Sequence, residues 1–250
     1  MKQLLLLTTL AVAGLIACSK PKDAAPAVAI NNANVELNYD GTHQFSLTQG
    51  STAVSPSTYT WTSSDVTVGT IAPTGLFTAR RIGETTITGI SSDKSSTVQS
   101  KVVVKPYSTA WIEPVTTFGS NKTSVKSKEK RTLIREQTDG LIYKGESAKV
   151  TNVAYIFESD KLTTAGLQLT STAEMAQEAA VFLLERYTYL GKEDDIYVFT
   201  DGKTVHVGLA ADDSAGLVAI YVPYASGGRQ SYEVVQRLLK SEVGKLRKMN

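Results

Sequence analysis

Apolar and polar positions alternate with period two through the first part of the chain. Val35, Leu37 and Tyr39 alternate with polar neighbours, and His43, Phe45 and Leu47 do so again after Gly41. Tyr59 and Trp61 follow, then Leu76, Ile87, Val102 and Val104. Successive side chains of a strand point to opposite faces, so this spacing predicts short strands with one face inward. Asp-Gly, Gln-Gly and Thr-Gly steps separate the runs, and at Asp40-Gly41 and Thr74-Gly75 turns call for a positive φ that glycine adopts without strain. An all-β sandwich over residues 34–105 is the expectation.

The period changes after Pro106. Residues 121–137 lack Gly and Pro and predict a helix with Ser120 or Asn121 as N-cap. Strands are predicted at 141–144, 151–158 and 161–170. A helix over 173–190 follows, with Met175, Ala179, Phe182, Leu183 and Tyr187 as its apolar stripe and Gly191 as its stop. Three more strands at 195–200, 203–210 and 217–224 complete a six-stranded candidate, with Asp201-Gly202 as a hairpin signal. A last helix over 231–248 gathers Val234, Val235, Leu238 and Leu239. Residues 107–250 therefore predict an α+β domain. Tyr155-Ile156-Phe157 with Lys161, Gly166 and Leu167 recurs as Tyr197-Val198-Phe199 with Lys203, Gly208 and Leu209. That echo, and the order helix then three strands twice, fit a duplicated αβββ unit.

The start of the chain carries an address. Lys2 precedes an apolar run from Leu4 to Ile16, shorter than the about 20 residues a spanning helix needs. The run ends Leu15-Ile16-Ala17-Cys18, followed by Ser19-Lys20-Pro21-Lys22-Asp23. These residues resemble the lipobox of bacterial lipoproteins. The resemblance implies a signal peptide over 1–17, cleavage before Cys18, and acylation of the Cys18 thiol at the new N-terminus. Several acyl chains anchor a protein firmly where one binds marginally. Residues 18–33 are rich in Lys, Pro, Ala and Asn and read as a flexible tether. Ser19 is similar to the second mature residue of lipoproteins sent to the outer membrane of a Gram-negative envelope, on its periplasmic face or at the cell surface.

Trp61-Thr62-Ser63-Ser64, Val68-Gly69-Thr70-Ile71, Gly75-Leu76-Phe77-Thr78-Ala79 and Gly83-Glu84-Thr85-Thr86-Ile87 together resemble the bacterial Ig-like group 2 (BIG2) domain. Gly69 stands where that family usually has Ala, a change expected to matter little. The resemblance implies a sandwich that acts as spacer or adhesive module and carries no active site. Trp61, an indole on an alternating strand, is expected in the core, with a ligand-stacking role as the alternative. In the second domain, Phe118-Gly119-Ser120 entering a helix that contains Val125 resembles envelope modules of the BamE or β-lactamase-inhibitor-protein kind, on those few residues alone.

Composition narrows the chemistry. Lys plus Arg number 26 against 24 Asp plus Glu, a net charge of +2, which argues against nucleic acid as a partner. Two histidines and one cysteine leave little for a His/Cys metal site, so no cofactor and no metal are expected. Asp194-Asp195 and Asp212-Asp213 read as loop acids, with a shared calcium as the alternative if the loops meet. Asp213-Ser214-Ala215 resembles a short bacterial O-glycosylation acceptor. Lys122, Lys126, Lys128, Lys130, Arg131 and Arg135 spread around their helix rather than forming a stripe, and Gly227-Gly228-Arg229 offers amides to an anion.

The sequence thus predicts a non-catalytic envelope lipoprotein, bound to the membrane through its N-terminal lipid. An unknown protein or polysaccharide partner would meet a distal surface bearing Tyr155, Tyr197, His206 and Tyr221. His206 is expected to face outward because it alternates with Val205 and Val207. The alternative is a hydrolase of an envelope or dietary polymer, working through converging carboxylates of the second domain.

Overall fold

A computed structural model describes residues 25–193, 195–212, 216–224 and 240–246. The leader, Cys18, Asp194, Asp213-Ser214-Ala215, Gly227-Gly228-Arg229 and residues 231–239 of the last predicted helix lie outside the described residues.

Ten strands build the N-terminal region: β1 (Val28–Ile30), β2 (Asn34–Asn38), β3 (Thr42–Gln44), β4 (Leu47–Gln49), β5 (Thr52–Val54), β6 (Tyr59–Ser63), β7 (Gly69–Ile71), β8 (Leu76–Ala79), β9 (Gly83–Ser91) and β10 (Thr97–Lys105). They form three small sheets, ordered β1-β4-β5, β2-β10-β9-β6 and β3-β8-β7. The predicted alternation holds: Thr97 to Lys105 runs exposed and buried in turn, with Val98, Ser100, Val102 and Val104 inside. Phe45, Phe77, Ile87 and Val102 are fully buried and centre the core.

Trp61 is half-buried on β6 and packs against both this core and a smaller cluster of Leu47, Tyr59 and Val98. Its indole lies over Gly89 and donates to the Pro56 carbonyl at 2.9 Å.

Two glycine expectations need correction. At Asp40-Gly41 the left-handed residue is Asp40, φ 59°, a conformation aspartate tolerates better than most residues. Gly69 matters more than expected. A Cβ there would sit 2.2 Å from Cζ of Phe77 and 2.8 Å from the Thr78 carbonyl oxygen, so the alanine common at this position does not fit beside this phenylalanine.

Beyond Lys105 the chain crosses residues 106–121 without regular structure before α1 (Lys122–Lys128). Asn121 caps α1 by accepting from the Ser124 amide at 2.9 Å. Four strands follow, β11 (Leu133–Glu136), β12 (Gly140–Ser147), β13 (Val150–Glu158) and β14 (Lys161–Leu169). Then come α2 (Ala173–Leu184) and β15 (Thr188–Glu193), β16 (Ile196–Thr200), β17 (Val205–Asp212) and β18 (Gly216–Pro223). All eight strands join one antiparallel sheet ordered β11-β12-β13-β14-β18-β17-β16-β15.

The sheet exceeds the expected six strands because both predicted helices are shorter. The first stops at Lys128, and Leu133–Glu136 pairs with β12. The second stops at Leu184, and Thr188–Glu193 becomes an edge strand through its β-forming Thr-Tyr-Leu run. A helix followed by four strands therefore occurs twice, and the two meanders meet at β14 and β18. The sequence echo is one strand out of step with this repeat. It aligns the β13–β14 hairpin with β16–β17, whereas the topology matches β13–β14 to β17–β18.

Both faces of the sheet are covered. On one lie α1, α2 and residues of the 106–121 segment, packed on Leu141, Tyr155, Leu167, Val207 and Tyr221. On the other, Val243 and Leu246 of a helical turn at 240–246 pack on Ile142, Ile156, Val198 and Ile220. Glu242 accepts from the Thr164 hydroxyl at 2.7 Å, and Lys245 lies 2.8 Å from both Glu158 and Glu242. Among the described residues no helix is long and apolar enough to cross a membrane.

Candidate interaction surface

The four side chains expected to form a distal contact surface do not share one. Tyr155 and Tyr221 are fully buried on the face covered by α2. They belong to one row across the sheet, in which Leu141, Tyr155, Ala165, Tyr221, Val207, Phe199 and Tyr189 pair in turn. His206 is buried on the opposite face, with its ring 4.8 Å from that of Tyr224. Alternation placed it opposite Val205 and Val207 as expected, but that face is also enclosed. Only Tyr197 is exposed, at 42 %.

Residues 106–121 explain the burial of the tyrosines. Ala110 and Trp111 of this strap are buried, and the Trp111 ring lies 3.8 Å from Phe182 of α2. Trp111 donates through Nε1 to the Tyr221 hydroxyl at 3.1 Å, and the Val115 amide donates to the Tyr155 hydroxyl at 3.0 Å. The Tyr155 hydroxyl donates in turn to Glu129, and burial pushes its ionisation well above the ordinary phenol range. Arg131 bridges Glu129 at 2.9 Å and Glu146 at 2.6 Å, while Glu146 accepts from the Ile112 amide at 2.7 Å. The strap's polar groups are thus met by a buried ionic network.

Glu185, just past α2, ties the two regions together. Its carboxylate is fully buried and accepts from the amides of Tyr107 at 2.5 Å and Ser108 at 3.3 Å. Arg186 pairs with it at 3.3 Å and also donates to the Ser108 carbonyl at 3.2 Å. The Glu185 carbonyl accepts from the amide of Ile82, at the β8–β9 turn of the N-terminal region, at 2.9 Å. Arg81 of the same turn donates to the Thr188 hydroxyl. Nothing in the sequence marked Glu185, because a lone acid at a helix end reads as solvated.

What stays exposed at this end is the edge strand β15. Tyr189 and Leu190 are exposed, Tyr189 packs 5.4 Å from Phe199 and 6.5 Å from Tyr197, and the Lys192 ammonium lies 5.1 Å from the Tyr197 ring centroid. An unpaired edge with aromatic and basic side chains can add a strand or a stacking ligand. The bulge between Tyr189 and Gly191 limits indiscriminate pairing.

The acids of the second region meet only in part. Asp195 and Asp212 line one depression of about 520 Å³ with Ser171 and Thr172. Their neighbours Asp194 and Asp213 lie outside the described residues. Among the described residues no group of three or more His, Cys, Asp or Glu is placed to hold a metal ion. His206 has burial-lowered basicity, and neither ring nitrogen has a hydrogen-bond partner among the described residues.

Comparison with known proteins gives one result that bears on this arrangement. Residues 24–102 match the bacterial Ig-like domain (group 2) family, so the N-terminal sandwich is an Ig-like domain of that type. No curated protein matches the chain. The match ends before the strap begins.

Proposed function

We propose that the chain is a non-catalytic envelope lipoprotein whose Ig-like domain holds the eight-stranded α+β region away from the membrane. The observation that carries this reading is the Ig-like match over residues 24–102, a module type suited to surface display and adhesion. The lipobox-like Leu15-Ile16-Ala17-Cys18 supports a lipid anchor on the outer membrane. The contact edge for a protein or polysaccharide partner is β15 with Tyr189, Leu190 and Tyr197, in place of the buried Tyr155, Tyr221 and His206.

The test is fractionation of cells carrying the full chain, with mass spectrometry of its N-terminus. Acylated Cys18 and membrane partitioning are expected, and Cys18→Ala should leave the chain unprocessed or released. An unmodified Cys18 thiol in membrane-derived protein overturns the anchor. Turnover of a polysaccharide or peptide by the purified chain, abolished by Asp195→Asn or Asp212→Asn, overturns the non-catalytic reading.

A further inference from the structure

We propose that the cleft between the Ig-like domain and the distal sheet binds an anionic sugar, a pyranose ring bearing a carboxylate or a sulfate. The inference rests on the surface-binding reading above and names its ligand class. The cleft encloses about 410 Å³, lined among others by Tyr39, Thr67, Arg80, Arg81, Tyr187 and Tyr189. That volume falls in the roughly 300–1,000 Å³ range of small-molecule sites.

Its two arginines differ from the arginines of the interior. Arg131 is paired with Glu129 and Glu146, and Arg186 with Glu185. Among the described residues Arg80 has no carboxylate partner, and Arg81 reaches only the neutral hydroxyl of Thr188. Two guanidinium forks at one cleft match the planar oxygens of a carboxylate or the oxygens of a sulfate. Asp65 precedes the cleft residues Val66 and Thr67 in the chain. Its carboxylate accepts from the hydroxyl of Thr67 at 2.6 Å and from its amide at 2.8 Å, bonds that hold its pKa below the ordinary value. Among the described residues neither Asp65 nor Glu113, which accepts from the Tyr187 hydroxyl, pairs with Arg80 or Arg81.

The tyrosines supply the second half of the recognition. Tyr187 spends its hydroxyl on Glu113 and packs its ring edge-on against Tyr221 at 6.4 Å, so it forms a fixed wall of the cleft and Tyr189 is the open ring. Tyr189 is 45 % exposed. A pyranose has an apolar C–H face and a polar rim, so flat amphipathic rings beside cations suit a charged sugar better than a bare ion. The Ile82–Glu185 and Arg81–Thr188 bonds fix the two walls in place before any ligand arrives, which lowers the ordering cost of binding.

The experiment is affinity electrophoresis of the full chain in mild detergent through gels containing polygalacturonate, dextran sulfate or unmodified dextran. Retardation by at least one of the charged polymers and by no neutral dextran is expected, and which one retards identifies carboxylate or sulfate. Arg80→Ala with Arg81→Ala should weaken binding at least tenfold, and Tyr189→Ala several-fold. The Arg80→Lys, Arg81→Lys pair, with its charge kept, should bind between these and wild type, and a wild-type melting curve for it shows that folding is intact. Three results overturn the proposal: no retardation by either charged polymer, binding indifferent to the arginine changes, or binding that Tyr189→Ala leaves untouched and free sulfate displaces at equal charge. A chain displayed on the cell surface that fails to bind overturns the cleft alone. A chain that binds but is absent from membranes overturns the anchored-display reading alone.

Discussion

The Ig-like domain divides its strands among three small sheets, whereas the C-terminal region gathers eight into one sheet covered on both sides. In the first, alternation along a strand reports exposure directly: on β10 every inward residue is buried and its neighbours face water or its margin. In the second, alternation reports only which cover a residue meets. Val205, His206 and Val207 are all buried in succession on β17. A period-two pattern therefore gives the same strand in both regions but a correct surface only in the first.

The largest effect expected from this contrast comes from the strap. Trp111→Ala removes a buried indole 3.8 Å from Phe182 and leaves the Tyr221 hydroxyl without its donor. A loss of about 3–5 kcal/mol is expected. The two tryptophans lie one in each region, so Trp61 fluorescence in this variant follows the Ig-like domain alone while far-ultraviolet dichroism follows the whole. Loss of the distal transition with the Trp61 transition retained is the expected outcome. A cost under about 1 kcal/mol would show that the strap adds little to the distal fold.

Glu185→Ala comes next, because it leaves the Tyr107 and Ser108 amides and the Arg186 guanidinium facing a buried void. Breaking one side of a buried charge pair costs about 3 kcal/mol or more. Part of that is recovered if the junction opens to water, so the measured loss should fall below that of Trp111→Ala. The distinguishing readout is rotational diffusion: the two regions should tumble as one unit in the wild type and separately in the variant. Unchanged tumbling would mean that Glu185 stabilises α2 without coupling the regions.

Gly69→Ala tests how far family pattern can stand in for local packing. The added methyl would meet Cζ of the fully buried Phe77, so a cost of about 1–3 kcal/mol is expected by urea denaturation. Pairing it with Phe77→Leu should restore much of the loss by making room for the methyl. Equal stability of Gly69→Ala and wild type would return the position to the status the sequence suggested.

These cases show where legibility ended. Strand alternation, the Asn121 cap and the short apolar motifs of the Ig-like domain act over a few residues, and each was readable as it stood. The end of α2 was not, because Arg186-Tyr187-Thr188-Tyr189 is compatible with a helix until a sheet edge is available to pair with. Tyr155 and Tyr221 were misplaced because their cover comes from Trp111 and Val115, 40 or more positions away in the chain. The cleft was invisible for the same reason: Arg80 and Tyr189 become neighbours only once Glu185 holds the regions together.

The smallest effect distinguishes the two regions by their histidines, one in each. Burial lowers the pKa of both His43 and His206 below the ordinary 6.5. His43 is half-buried with its ring edge-on to Phe45 at 4.7 Å, whereas His206 is only 4 % exposed, with the charge of Asp201 offsetting part of the burial. Below pH 6.5 the unfolded chain takes up protons that the folded chain refuses. Stability is therefore full above that pH and declines as pH falls toward each folded pKa, by at most about 1.4 kcal/mol per pH unit per histidine. Asp65, Asp93 and Asp201, ordinarily 3.8, and Glu146 and Glu174, ordinarily 4.5, have lowered pKa values and lose their contribution as pH falls toward and below those ordinary values, so pH 5.5 to 7.5 isolates the histidines. Denaturation across that window should show a steeper acid loss in the distal transition than in the Ig-like one. His206→Phe should flatten the distal slope, and His43→Phe should change the Ig-like slope less. If His206→Phe leaves the slope intact, the imidazole reaches water in the folded chain, and its cover beside Tyr224 is looser than its burial implies.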